Sequence, residues 1–171
     1  MHMLFRALSS LVLFASLCSC GVFNSLFGED EPSGDIMMTL ADTGQHRTFI
    51  SAVQTAGLVE IVSGSQIHTV FAPSDRAFEK LPAGTMEALL TPPYQQQLKQ
   101  FVRNHIVAGV YTASDLNAES LQLKSLNNEW IAIDAASDLK VNSAKVLRAN
   151  REATNGIVHQ MDSVLMIPIL Q

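Results

Sequence analysis

Cysteine is almost absent from this sequence: only Cys18 and Cys20 carry thiols among 171 residues. Beyond position 20 the chain therefore offers no disulfide, no thiolate metal site and no cysteine nucleophile. Cations are few as well, with eleven Lys and Arg against sixteen Asp and Glu and a net charge of −5. Their closest grouping, Lys145, Arg148 and Arg151, is interrupted by apolar residues and reads as a solvated face. A nucleic-acid backbone requires clustered cations that displace its counterions, so nucleic acid is not an expected partner. Several chemical signatures are missing too. There is no G-x-S-x-G nucleophile turn, no glycine-rich phosphate loop, no dinucleotide fingerprint and no H-x-x-x-H metal pair. No cofactor is expected. What is present is a 47% hydrophobic composition, and a chain of this length buries roughly two-thirds of its unfolded surface without staples.

The first twenty residues read MHMLFRALSSLVLFASLCSC. One strongly basic residue, Arg6, precedes an apolar run from Ala7 to Leu17. That run is shorter than the roughly 20 residues a helix needs to cross a bilayer, and a short apolar run behind a positive start is the pattern of an export leader. Leu17-Cys18-Ser19-Cys20 resembles the lipobox of bacterial lipoproteins. The resemblance implies cleavage before Cys20, acylation of its thiol, and a membrane-lipid partner held through more than one acyl chain. Residues 1–19 are then the leader. Residues 20–34, with the acidic, turn-rich Glu29-Asp30-Glu31-Pro32-Ser33-Gly34, form a lipidated tether. Gly21 rather than Asp after the cysteine implies outer-membrane sorting in the Gram-negative proteins that this leader resembles.

The folded domain is expected over residues 35–171, with helices first and strands later. Phe49, Ala52, Val53 and Ala56 recur at helical spacing over Thr48–Ala56, ahead of Gly57 as a stop. Pro92-Pro93 opens a helix with Tyr94, Leu98, Phe101 and Val102 on one face. Thr85 is expected to cap a shorter helix reaching Leu90. From Leu121 the period drops to two, through Leu121 and Leu123, Trp130–Ile133, Leu139 with Val141, Val146 and Ile157–Met161. Asn127-Asn128 and Asn155-Gly156 read as turns, the latter with positive φ angles. The class is α+β.

Three segments are more specific. Thr69-Val70-Phe71-Ala72-Pro73-Ser74-Asp75-Arg76-Ala77-Phe78 resembles the first signature motif of fasciclin domains. Asn155-Gly156-Ile157-Val158-His159 lies in a stretch similar to the second, and Asn104-His105 resembles the family's central histidine segment. The resemblance implies a β-sandwich or wedge with helices packed on one side, and an extracellular binding or adhesion role rather than an enzyme. By their own chemistry the motif residues read as architecture. Pro73 has no N–H for the ladder, Ser74 or Asp75 is placed to cap a helix, and Phe78 returns to the core. Many relatives have Tyr-His where this chain has Asn104-His105. The acidic integrin-binding stretch of some animal relatives falls at Arg148-Ala149-Asn150-Arg151-Glu152, which does not match it. Integrin binding is therefore not carried over.

Among the histidines, His105 is the best candidate for a special role, against the plainer reading of a buried ring bonded to backbone. Asp134 and Asp138 flank turn residues and read as solvated. The expected function is a membrane-anchored adhesion or binding module of the bacterial envelope. Its ligand would be a protein, a polysaccharide or a second copy. The alternatives are a small hydrolase using His105 with a carboxylate such as Asp75, and a carrier that encloses a small apolar ligand.

Overall fold

The computed structural model describes residues 34–117 and 121–165. The expected leader, Cys20, most of the expected tether and the final six residues lie outside that range. Seven helices come first: α1 (Ile36–Thr43), α2 (Arg47–Thr55), α3 (Val59–Ser63), α4 (Asp75–Glu79), α5 (Thr85–Leu89), α6 (Gln95–Asn104) and α7 (Ala113–Leu116). Two strands are set among them, β1 (His68–Pro73) and β2 (Ile106–Ala108). Five follow: β3 (Leu121–Lys124), β4 (Trp130–Asp134), β5 (Lys140–Val141), β6 (Ala144–Ala153) and β7 (Gly156–Met161). The α+β class and the helix-first order agree with the sequence reading.

Local chemistry explains the main elements, and in three places it differs from expectation. Helix α2 buries Phe49, Ala52 and Val53 on one side and ends before Gly57, whose φ of 67° suits only glycine without strain. Pro92-Pro93 first makes a short 3-10 turn through Tyr94, from which α6 continues with Leu98, Phe101 and Val102 inward. Thr85 is not the cap of α5. Gly84 takes that position with φ 83°, and Thr85 is the first helical residue. Ser74 stands at the start of α4 but makes no side-chain cap bond. The carboxylate of Asp75 instead accepts the Thr48 N–H at 2.9 Å, so it caps α2, a helix 27 residues upstream. At Asn155-Gly156 only Gly156 has positive φ, 153°, and Asn155 is occupied with other bonds described below.

The strands form one seven-stranded sheet in the order β2-β1-β7-β6-β5-β4-β3. Only β1 and β7 run parallel, and every other neighbouring pair is antiparallel. The sheet bends until its two ends meet. Val107 of β2 bridges Ser125 just after β3, and Ile106 accepts the Leu126 N–H at 2.8 Å. This closure makes a wedge with two cores. On the outer side, Val70, Ala72 and Val158 meet Ile36, Leu40, Phe49, Val53, Phe101 and Val102 of the helices. Inside the bend, Phe71 and Met161 meet Val107, Leu123, Ile131, Ile133 and Val141. Strand β1 thus alternates its side chains between two cores, which is why all six of its residues are buried.

Candidate functional site

The two signature segments, far apart in sequence, are neighbours in the sheet. His68 pairs with Gly156, Thr69 with Ile157, Phe71 with His159 and Pro73 with Met161. Both strands are buried at every position. At Gly156 the backbones approach so closely that a Cβ would collide with the carbonyl oxygen of His68. Glycine is therefore required there by contact as well as by φ.

Each motif side chain is bound into this frame. The Thr69 hydroxyl donates to the Gly109 carbonyl at 2.8 Å and accepts the Tyr111 N–H at 2.9 Å. Phe71 stacks on His159 with ring centres 5.5 Å apart. Ala72 is fully buried, and the Pro73 carbonyl accepts Nδ1–H of His46 at 2.8 Å. Phe78 tilts against Phe101 at 6.1 Å. Asn104 is buried and accepts the Ser125 hydroxyl at 3.2 Å, helping to hold the closing ends of the sheet. Asn155 is a three-way clamp. Its Oδ1 accepts the Ile36 N–H at the start of α1, and its Nδ2 donates to the carbonyls of Val62 and Gly64 at the end of α3.

Among the described residues the histidines His46, His68, His105 and His159 are all buried. His105 lies between Phe49 and Phe101 with no solvent exposure. Its Nδ1–H donates to the Phe101 carbonyl at 2.7 Å, and its Nε2 accepts the Leu165 N–H at 3.0 Å. That pair of bonds fixes the neutral tautomer, because a protonated Nε2 would face an N–H donor. Desolvation pushes the His105 pKa down to about 4. Burial also lowers His46 and His159. The Nε2–H of His159 donates to the Tyr111 carbonyl at 2.8 Å.

This geometry does not assemble the hydrolase that pairs His105 with Asp75. Both ring nitrogens of His105 are spent on backbone, and the Asp75 carboxylate is spent on α2. Asp138 pairs with Lys145 at 3.0 Å and Asp134 accepts the Ala136 N–H, so neither forms a carboxylate dyad. Among the described residues no group of three or more His, Cys, Asp or Glu is placed to hold a metal ion. A cleft of roughly 430 Å³ lies between α4 and α5, lined by Phe78, Leu81 and Met86 together with Asp75, Glu79 and Glu87. It is an open, acid-rimmed groove rather than the enclosed apolar cavity a carrier would need.

What sequence reasoning missed is the exposed surface. Strand β6 is exposed from Leu147 to Glu152. Trp130 stands 64% exposed on β4 with the Lys124 ammonium 5.9 Å from its ring centre. Period-two alternation signals the exposure of Trp130, but nothing in the sequence signals the irregular path of β6.

Comparison with known proteins agrees with this frame. The family model described as the fasciclin domain matches residues 44–168. Protein sll1483 of Synechocystis is 38% identical over 71% of this chain and 67% of its own length. The cell surface glycolipoprotein MPB83 of Mycobacterium bovis is 33% identical over 65% of this chain, and the match covers 48% of that protein. The pig transforming growth factor-beta-induced protein ig-h3 is 31% identical over 86% of this chain and only 22% of its own length. Among solved structures, a domain pair from the insect cell adhesion molecule fasciclin I superposes with a TM-score of 0.69 at 19% identity, covering 80% of this chain and 52% of that one.

Proposed function

Since the chain belongs to the fasciclin domain family, we propose that it is an adhesion or binding module, held at the cell envelope by an acylated Cys20. One observation carries the binding part of the reading. The polar motif residues Thr69, Asp75, Asn104, His105, Asn155 and His159 are instead committed to hydrogen bonds within the fold, which leaves recognition to the exposed surface. That MPB83 is a cell surface glycolipoprotein and fasciclin I a cell adhesion molecule supports the same reading. The anchoring part rests on the lipobox-like Leu17-Cys18-Ser19-Cys20 alone. It takes outer-membrane sorting from Gly21.

The two parts are tested separately. Cys20→Ser should abolish labelling by a radioactive fatty acid and move the protein into the soluble fraction; continued labelling refutes the anchor. Crosslinking on intact cells should capture a polysaccharide or protein partner through exposed residues. Turnover of envelope substrates that is lost on His105→Gln, with the fold preserved, would favour the hydrolase instead.

A further inference from the structure

The irregular course of β6 has a chemical consequence. Cross-strand partners on an antiparallel pair share a face of the sheet. Val146 opposes Met161, Arg148 opposes Gln160, Arg151 opposes Val158, and Glu152 opposes Ile157, with register shifts between Val146 and Arg148 and between Arg148 and Arg151. On a regular strand Arg148 and Arg151, three residues apart, would point to opposite faces. The two shifts turn both onto the face of Gln160 and Val158, the side covered by helices. Gln160 and Val158 are two residues apart on β7, so the two arginines are set about 7 Å apart along the sheet.

The second irregularity is pinned in place. Asn150 takes a left-handed conformation with φ 57°, and its side chain accepts the Ala113 N–H at 2.7 Å. Beside the two arginines lies the α1–α2 turn. Gln45 accepts a 2.6 Å bond from Gln160, His46 next to it has its pKa lowered mainly by burial and least by the Arg151 charge, and Arg47 is exposed. None of the three arginines has a carboxylate within ion-pair distance among the described residues, where the ion pairs are Lys80–Asp162 and Lys145–Asp138. In a chain of net charge −5 this is a local concentration of unpaired guanidinium groups.

Strand β5 pairs with β6 only at Ala144 and Lys145, and protection of the edge left open beyond them explains charge and bulges on β6 but not their joint placement on one face, since arginines on opposite faces would guard that edge as well. We propose that Arg148 and Arg151, with Arg47 at their flank, bind an acidic polysaccharide. The proposal rests on the reading of this domain as a binding module and names its partner class. Guanidinium forks match carboxylate and sulfate groups. The exposed carboxamide of Gln45 beside them suits sugar hydroxyls. An exposed ion pair contributes at most about 1 kcal/mol, so a single small anion would bind weakly. A polymer that repeats its acid groups engages several arginines at once and gains by effective concentration.

The test is affinity electrophoresis of the detergent-solubilised full chain in gels containing alginate, a polyuronate, or neutral dextran. Wild-type protein should be retarded by alginate and not by dextran, and 0.3–0.5 M salt, roughly, should remove the retardation. Arg148→Ser with Arg151→Ser should weaken the interaction at least about tenfold while the thermal midpoint stays put. Arg148→Lys with Arg151→Lys keeps the charge but loses the forks, and should fall between. Equal retardation of wild type and the Ser variant, or none of either, overturns the proposal. So does arginine-dependent binding to phosphatidylglycerol vesicles that exceeds binding to alginate. Failure here with cell attachment intact leaves the binding-module reading standing. Loss of attachment in no surface variant at all would instead count against that broader reading.

Discussion

Strands β7 and β6 are neighbours in one sheet and are joined by a single tight turn, yet they follow opposite rules. Every residue of β7 is buried, its path is regular, and it carries half of what makes the sequence recognisable. Strand β6 is exposed over Leu147–Glu152, its register slips twice, and its arginines have no acidic partners among the described residues. The difference teaches that recognisable and reactive are separate properties here. The motif residues identify the fold because their burial and hydrogen bonds hold its strands and helix ends together, whereas the exposed strand is free of that demand and available for recognition.

The largest expected break of this contrast is at Gly156. Gly156→Ala puts a methyl group against the His68 carbonyl, and should cost at least about 4 kcal/mol or abolish folding, read from urea denaturation. Next is acid. His105 has a folded pKa near 4 against 6.5 unfolded, so the unfolded chain binds more protons between those values. Its stabilisation is complete above pH 6.5 and is lost as pH falls toward 4, on the order of 3 kcal/mol, with His46 and His159 acting in the same direction. Denaturation midpoints across that window should fall steadily, and a flat profile would break the assignment. Asn155→Ala, which orphans the Ile36 N–H and the Val62 and Gly64 carbonyls, should cost about 2 kcal/mol by the same assay. Smallest of all, Arg148→Ser with Arg151→Ser should change stability by less than about 0.5 kcal/mol, as exposed substitutions do. A larger loss would make β6 structural and erase the contrast.

Much of the frame was legible in the sequence because it rests on local signals. Apolar spacing marked α2 and α6, Gly57 and Pro92-Pro93 marked their ends, and alternation marked β3 and β4. The rest depends on contacts that no local signal encodes. Asp75 was legible as a cap but not as the cap of α2, since nothing in the chain ties it to Thr48. Asn155-Gly156 was legible as a turn, but the clamp made by Asn155 requires knowing where α1 and α3 lie. The parallel pairing of β1 with β7 and the closure at Ser125 are tertiary choices. Lys145, Arg148 and Arg151 read as a solvated face because apolar residues interrupt them, and only the bulges bring the two arginines onto one face.

The most direct test of this division is the ionisation of the His105 ring, the motif residue with the best claim to chemistry. Long-range nitrogen–proton NMR on the isotope-labelled chain, followed from pH 7.5 down to 4, reads its tautomer and charge at each step. A neutral Nδ1–H ring that persists to about pH 4, unmoved by added ligands, is the predicted result. A ring that titrates near 6.5, or whose signals shift with a bound partner, would show a working histidine and contradict the account.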